Sequence, residues 1–310
     1  MIASNEVASR IACGVAGWSY PDWKGYVYAP GVKDELRYIA GYVDMVEINS
    51  SFYRPPSART VQSWARRTAD LPGFFFTAKL HQDITHRGLL QADMLRAFHE
   101  GFEPLAACGR LRHLLAQFRY DFADTPETRD YLRRIHAGFG DITNLTLELR
   151  HSTWQAPEAL RYLAELGVTV ANLDYPLARN SFNVPVCTVG THAYLRLHGR
   201  NAQAWFSRGA GRDETYNYAY PPNEVDEIVR RAVAIATMTR SLTVVANNHY
   251  QGKEAVTILQ VKSGLTGRRV PVPPQLARRY PELGAIQEPP RKEDQRTLPL
   301  DGESLDLTMP

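Results

Sequence analysis

Three side chains of this sequence are suited to moving protons, because each is a titratable group near the end of a predicted strand. Glu47 lies in MVEIN, Glu148 in LTLELR and His198 in RLHGR. Two titratable groups in unlike surroundings can divide the roles of general base and general acid. The sequence therefore predicts Glu47 or Glu148 as the general base and His198 as its acid partner.

A second set of side chains is suited to binding an anion and the groups attached to it. Guanidinium forks hold phosphate at two points, and a lysine adds a point charge. The predicted anion-binding residues are Lys79, Arg150, Arg196 and Arg200. The other predicted substrate-binding residues are Trp18, Tyr20, Tyr53 and Asp174, together with Asn49, Gln117 and Asn248, whose amides would orient hydroxyl groups.

The elements that must position these residues alternate between strands and helices, which is typical of a parallel sheet. Apolar, β-branched runs predict eight strands: 11–18, 45–49, 74–80, 113–118, 145–150, 168–173, 193–198 and 243–248. Apolar residues at three- and four-residue steps predict helices at 34–43, 57–67, 92–107, 126–137, 157–166, 223–239 and 253–264. Eight strands in this alternation predict an α/β fold of the TIM type, a (β/α)8 barrel of parallel strands.

In such a barrel the carboxyl ends of all strands meet at one mouth, so the polar residues that end them converge there. A core strand has no stability reason to end in Glu, Lys, Asn or His, and eight strands that do so favour a functional site. Two structural alternatives stay open. The first is that Glu148 and Arg150 form a purely structural salt bridge inside the barrel. The second is that the aromatic rings near the first two strands only close the top of the barrel.

Two long connections break the alternation, residues 175–190 and 199–222. The second mixes arginine, glycine and aromatic residues, a composition that suits a mobile lid over an anion or stacking on unpaired bases. A solvated loop without either role is the third interpretation.

Composition excludes several classes of protein. The chain has 310 residues, 44% of them apolar, and a formal charge of only +3, too mild to indicate a general nucleic-acid or membrane partner. Its three cysteines are widely spaced and form no CxxC, which argues against a disulfide framework or a structural zinc site. No apolar leader or membrane-length run is present, so we expect a cytoplasmic protein.

The chain divides by composition into three parts. Residues 1–10 are an N-terminal extension, residues 11–268 form the barrel domain, and residues 269–310 are a tail rich in proline and charge. The last part of that tail, residues 285–310, is expected to be solvated and poorly ordered.

Familiar cofactor motifs are absent: the sequence contains no GxGxxG, Walker A, GxSxG or HExxH pattern. No cofactor is therefore predicted. A divalent ion held by Glu47, Glu148, Asp174, His198 and His249 is an alternative, but the neighbouring lysine and arginines would repel a cation.

Six ordered blocks resemble the YecE-like family, the domain of unknown function numbered 72. They are GWSY at 17–20, VEINSSFY at 46–53, Lys79 with TH at 85–86, ELRH at 148–151 with Trp154, RLHGR at 196–200 and NNH at 247–249. The resemblance covers residues 11–265 and implies a TIM-type barrel without an established activity. Ala246 is a departure, because an aromatic residue is expected before the paired asparagines.

These observations give one leading hypothesis and two alternatives. The first is an enzyme, a hydrolase or an isomerase, that acts on an anionic substrate such as a phosphorylated sugar, a nucleotide or nucleic acid. The second is a single-stranded nucleic-acid-binding module without catalysis, in which the 199–222 loop contacts the strand. The third is a metal-dependent phosphoesterase.

Overall fold

Eight parallel strands close into a barrel in sequence order in the computed structural model, which describes residues 3–289. The strands are β1 (Ile11–Val15), β2 (Met45–Ile48), β3 (Phe75–Lys79), β4 (Leu111–Gln117), β5 (Asn144–Glu148), β6 (Thr169–Asp174), β7 (His192–Leu197) and β8 (Ser241–Ala246). Strand β1 pairs with both β2 and β8, which completes the closure. The predicted TIM-type fold and its eight strands are confirmed.

Twelve α-helices accompany the strands in the described part of the chain. They are α1 (Asn5–Ala8), α2 (Glu35–Ala40), α3 (Ala58–Arg67), α4 (Gln82–Arg87), α5 (Ala92–Ala106), α6 (Pro126–Phe139), α7 (Pro157–Glu165), α8 (Ala202–Trp205), α9 (Arg212–Thr215), α10 (Pro222–Met238), α11 (Lys253–Thr266) and α12 (Pro274–Arg279). All seven predicted helices are present. Ser57 begins α3 as its N-cap, and its hydroxyl accepts a hydrogen bond from the Thr60 amide at 3.2 Å.

The barrel wall separates two apolar regions, as the alternation of side chains along a strand requires. One face of each strand packs against the surrounding helices and forms the large outer cluster. The other face fills the barrel interior, where Met45, Phe75, Leu115 and Val245 are buried. Gly14 is required beside them, because a Cβ there would clash with the Met45 carbonyl oxygen.

The chain after the barrel is packed rather than solvated as far as the structure describes it. Val270, Val272, Leu276 and Leu283 are each at most 4% exposed. Ordered structure thus extends beyond residue 268, where the composition placed the start of a tail, because these four residues supply an apolar face that the charged composition obscures. Residues 290–310, where the rest of the predicted tail falls, lie outside the described residues.

Both ends of the described chain lie against the first and last units of the barrel. Helix α1, inside the predicted N-terminal extension, contacts α10 and α11. Gln275 and Arg279 donate hydrogen bonds to the Gly25 carbonyl oxygen at 2.9 and 2.8 Å, in the connection after β1. None of the helices between residues 3 and 289 has the length and apolar character needed to cross a membrane.

Candidate active site at the barrel mouth

Inward-facing residues near the carboxyl ends of the strands form a buried polar layer, which we call the floor network. Its members are Glu47, Glu148, Tyr194, Arg196, His198 and Asn247. They come from β2, β5, β7 and the residues that follow β7 and β8, so four sides of the barrel meet in it. The predicted convergence of strand ends is therefore observed for this set.

Arg196 is the centre of the floor network and has no exposed surface. Its Nη2 donates to Glu47 Oε1 at 2.6 Å, its Nε donates to Glu47 Oε2 at 3.2 Å, and its Nη1 donates to Glu148 Oε2 at 2.6 Å. Tyr194 donates its hydroxyl to Glu47 Oε2 at 2.9 Å. Burial alone would lower the pKa of Arg196, but the two carboxylates outweigh burial and raise it. Both charged glutamates are thus paired beneath the mouth.

Glu148 also accepts hydrogen bonds from above, where Arg150 donates its Nε and Nη2 to Oε1 at 2.9 and 2.6 Å. Burial would raise the pKa of Glu148, but Arg196 and the other nearby cations lower it well below its usual value. This carboxyl group is therefore ionised at neutral pH. The salt bridge that was one structural alternative for Glu148 and Arg150 is present.

His198 completes the floor network as an uncharged ring. Asn247 Nδ2 lies 3.1 Å from His198 Nδ1, and His198 Nε2 lies 3.3 Å from Glu148 Oε1. Arg196 Nη1, which can only donate, lies 3.5 Å from the same Nε2. Burial lowers the pKa of His198 to about 4 against the attraction of Glu148. His198 is therefore neutral at pH 7 and lies in contact with Glu148, Arg196 and Asn247.

Above the floor network lies a pocket of about 280 Å³, which we call the mouth pocket. It is lined by Asn49, Phe52, Tyr53, Lys79, His86, Gln117, Arg150, Arg212, Tyr216, Asn247 and His249. Three of these residues are lysine or arginine, and none is aspartate or glutamate. Burial lowers the pKa of His86 to about 4 and that of His249 to about 3, so both rings are neutral. The lining therefore has a net positive charge.

Lys79 is a half-buried member of this lining with unusual surroundings. Its Nζ lies 4.3 Å from the centre of the Phe52 ring. Across residues 3–289, no hydrogen bond or salt bridge engages this ammonium group. Burial and the charge of Arg196 lower the pKa of Lys79 to about 7, against the opposing effect of Glu47. Lys79 can therefore gain or lose a proton near neutral pH.

The 199–222 connection lies over this pocket. The Trp205 ring is 5.8 Å from the His198 ring, and the Arg150 guanidinium is 5.3 Å from Trp205. Arg212 lies 5.7 Å from the centre of the Tyr20 ring. The loop begins at Gly199, whose φ of +86° favours glycine, and an added Cβ would meet the Tyr218 side chain. Arg212 and Tyr216 of this connection are part of the pocket lining.

Four polar side chains lie together beside β1 and β8, and we call Tyr20, Asn49, His249 and Glu254 the neutral cluster. Asn49 and His249 of this cluster line the mouth pocket. The Tyr20 and His249 rings stack with centres 4.8 Å apart. Glu254 follows β8 on α11 and has no exposed surface. Burial raises the pKa of Glu254 well above its usual value, so this side chain is a neutral carboxylic acid.

Four of the predicted substrate-binding residues lie elsewhere. Asp174 receives hydrogen bonds from Arg200 Nε at 3.0 Å and Nη2 at 2.8 Å, in a separate ion-pair group. Trp18 packs edge-on against Trp64 of α3, and Asn248 donates to the Tyr218 carbonyl oxygen at 2.8 Å. These residues face away from the barrel interior or lie in its outer wall.

Several side chains of the site are absent from the predicted set of site residues. They are Phe52, His86, Tyr194, Arg212, Tyr216, Asn247, His249 and Glu254. The alternation of side chains along β8 could have predicted Asn247, because this residue shares the inward face with Val245. Glu254 gives none, since an acidic residue in the first turn of a helix is typical of a surface position.

The predicted metal ligands do not gather around one point. Within the part of the chain that the structure describes, no three His, Cys, Asp or Glu side chains are arranged to hold an ion. Glu47 and Glu148 meet Arg196 instead.

Residues 12–279 match the family model described as protein of unknown function DUF72. The chain is 27% identical over 285 residues to UPF0759 protein YunF of Bacillus subtilis (strain 168), covering 84% of this chain and 99% of that protein. A DUF72 family protein from Thermotoga maritima MSB8 has a crystal structure similar to this one, with a TM-score of 0.72, 29% identity and coverage of 82% of this chain and 98% of that one. A DUF72 family protein from Enterococcus faecalis V583 gives a TM-score of 0.72, 26% identity and coverage of 82% and 95%. These matches confirm the family that the six sequence blocks predict.

Proposed function

This chain belongs to the DUF72 family of proteins of unknown function, and we propose that it is an enzyme that moves a proton on a small anionic substrate bound in the mouth pocket. The proposal assigns binding of the anion to Arg150 and Arg212, and proton transfer to Lys79. The volume of the pocket, about 280 Å³, suits a single small molecule rather than a polymer.

The observation that carries this proposal is the charge of the pocket lining. Lysine and arginine line it without a carboxylate, and two of these cations, Lys79 and Arg212, have no acidic partner among the described residues. The two carboxylates below are each paired with an arginine. An anion that enters the pocket therefore meets the unpaired charges of Lys79 and Arg212 beside the paired Arg150, in partly desolvated surroundings where electrostatic attraction is stronger than in water.

Lys79 is the lining group best suited to proton transfer. A general base works best when its pKa lies near the working pH, and the pKa of Lys79 is lowered to about 7. In its neutral form the amine takes a proton from the substrate, and in its charged form it returns one. Phe52 limits the access of water to the amine from one side.

The floor network would support this chemistry from below. Both oxygens of Glu47 accept hydrogen bonds from Arg196, and Glu148 is bound by two arginines. In this proposal Glu47, Glu148 and His198, the three predicted catalytic residues, are positioning residues. They fix Arg150 and Arg196, whose charges hold the Lys79 pKa down.

The nucleic-acid alternative gains less support from the geometry. Trp205, one of its predicted stacking residues, is half-buried between His198 and Tyr175, and Tyr220 is 5% exposed. These rings are engaged inside the protein rather than presented to a strand. No donor set in the described range favours the metal-dependent alternative.

A solvent-exchange screen tests the proposal. Aldose phosphates, ketose phosphates and hydroxy acids are incubated with the protein in D2O, and loss of carbon-bound hydrogen is followed by proton NMR. We expect exchange with at least one compound, inhibition by inorganic phosphate, and a loss of about 10²–10⁴-fold in Lys79→Met.

Lys33→Met is the matched control, because Lys33 is exposed and lies outside the pocket lining. It should retain the wild-type rate. Exchange that survives Lys79→Met, or a screen in which no compound exchanges, would contradict the assigned chemistry.

A further inference from the structure

Three side chains of the neutral cluster carry buried polar atoms that have no hydrogen-bond partner in the described chain. These atoms are Asn49 Oδ1, both ring nitrogens of His249, and Glu254 Oε1. His249 is 1% exposed and Glu254 is fully buried. Buried polar groups are almost always hydrogen-bonded, so several unpartnered atoms in one place are suited to binding a polar ligand.

The three side chains are held together by a common set of contacts around Ala16. Asn49 Nδ2 donates to the Ala16 carbonyl oxygen at 2.6 Å, and the Tyr20 hydroxyl donates to the same oxygen. The Ala16 amide donates to Glu254 Oε2 at 3.4 Å. Tyr20 in turn stacks on His249. The segments that follow β1, β2 and β8 thus bring these three side chains to the same place.

The hydrogen-bonding character of these atoms is mixed and uncharged. Burial keeps Glu254 protonated and keeps His249 neutral. Asn49 Oδ1 is an acceptor, a neutral imidazole offers one donor and one acceptor, and a carboxylic acid offers an O–H donor. Groups that both donate and accept without charge are matched by hydroxyl groups, which do both themselves.

The neutral cluster lies directly beside the cationic part of the mouth pocket. Asn49 and His249 belong to the same lining as Lys79 and Arg150. Arg212 lies 5.7 Å from the centre of the Tyr20 ring. One ligand can therefore contact both the arginines and the neutral cluster.

We propose that the neutral cluster binds the hydroxyl groups of the substrate, and that the substrate is a polyhydroxy compound with one anionic group, as in a sugar phosphate or a sugar acid. This inference rests on the proposed function, because the arginines must hold the anionic end. The hydroxyl-bearing carbons then extend towards Asn49 and His249, and Glu254 donates from below.

Titration calorimetry with three probes tests the inference: inorganic phosphate, D-ribose 5-phosphate and D-gluconate. We expect D-ribose 5-phosphate or D-gluconate to bind the wild-type protein at least about tenfold more tightly than inorganic phosphate, since two or three added hydrogen bonds contribute about 1 kcal/mol each. The probe that shows this gain identifies the anionic group as phosphate or carboxylate.

Two variants locate the gain at the neutral cluster. His249→Phe keeps a flat ring against Tyr20 and removes both unpartnered nitrogens, so it should fold as stably as the wild type. Asn49→Ala removes the unpartnered Oδ1 of a residue that is only partly buried as a whole, and it serves as the second variant. Both should lose most of the gain and bind inorganic phosphate as the wild type does.

The outcomes separate this inference from the proposed function. Phosphate binding without a gain for either polyhydroxy probe, or a gain that survives in both variants, overturns the hydroxyl subsite and leaves the anion site intact. Absence of binding by all three probes overturns the anion site itself.

Discussion

The floor network and the rim of the mouth differ in how their charges are matched, although both lie near the carboxyl ends of the strands. We define the rim as Tyr53, Lys79, Gln117 and Arg212, the outer lining of the mouth pocket. On the floor every charged side chain is buried and paired within 3.2 Å. At the rim, Lys79 and Arg212 are partly or fully exposed and have no acidic partner among the described residues. Burial and charge pairing thus separate the groups that fix the geometry from the groups that we propose to meet a ligand.

The strongest test of this comparison removes the centre of the floor. Arg196→Met leaves Glu47 and Glu148 buried without their shared cation, and loss of one partner from a buried ion pair costs roughly 3–5 kcal/mol. We expect the free energy of unfolding in urea to fall by that amount.

Arg208→Met is the control, because Arg208 is an exposed arginine of the 199–222 connection. Its free energy of unfolding should stay within about 0.5 kcal/mol of the wild type. Equal stability of the Arg196 variant and the wild type would show that the floor does not depend on this ion pair.

A second test uses acid to charge the floor. The folded-state pKa of His198 is about 4, below the unfolded value near 6.5, so the unfolded chain binds a proton that the folded chain does not. Stability is therefore lost as the pH falls from 6.5 towards 4. His198→Gln should reduce this slope by one proton, about 1.4 kcal/mol per pH unit, in urea titrations at several pH values.

Tyr53→Phe provides the comparison at the rim, where the side chain is 59% exposed. It should leave the pH dependence of unfolding unchanged. An unaltered slope in His198→Gln would mean that this ring is already charged in the folded protein.

The smallest expected effect lies at the rim. Arg212→Ala removes an exposed cation of the mouth pocket, so its affinity for inorganic phosphate should fall roughly two- to fivefold in low salt. Arg208→Ala removes a neighbouring exposed arginine that does not line the pocket and should change the affinity by less. Equal losses in the two variants would indicate general attraction to the loop instead of a site.

The fold followed from the sequence because periodicity and polarity agreed along nearly the whole chain. Alternating strand and helix patterns specified eight βα units, and polar residues at the strand ends specified the mouth. The same alternation explains two misplaced site residues. Leu173 faces the barrel interior, so its neighbour Asp174 must face outwards, and Asn248 is displaced from Asn247 in the same way.

The ion pairs that cross the barrel could not be predicted from the sequence. Glu47 and Arg196 are 149 positions apart, and only the closed fold shows that their charges cancel. Arg200 is equally basic in the sequence, yet Asp174 engages it outside the pocket. Glu254 resembles an ordinary first-turn acid until its burial beneath Tyr20 is known.

The segment after α11 contacts both the connection that follows β1 and the connection that follows β8. Besides the bonds of Gln275 and Arg279 to Gly25, the Tyr280 hydroxyl donates to the Gln251 carbonyl oxygen at 2.9 Å, and Gln251 has a left-handed φ of 55°. One short stretch of chain therefore clasps the turns that follow the first and the last strand, and these turns carry Tyr20 and His249. Removing the residues after 268 would leave all eight strands intact. It would also remove the contacts that hold these two turns, and with them one side of the proposed ligand site.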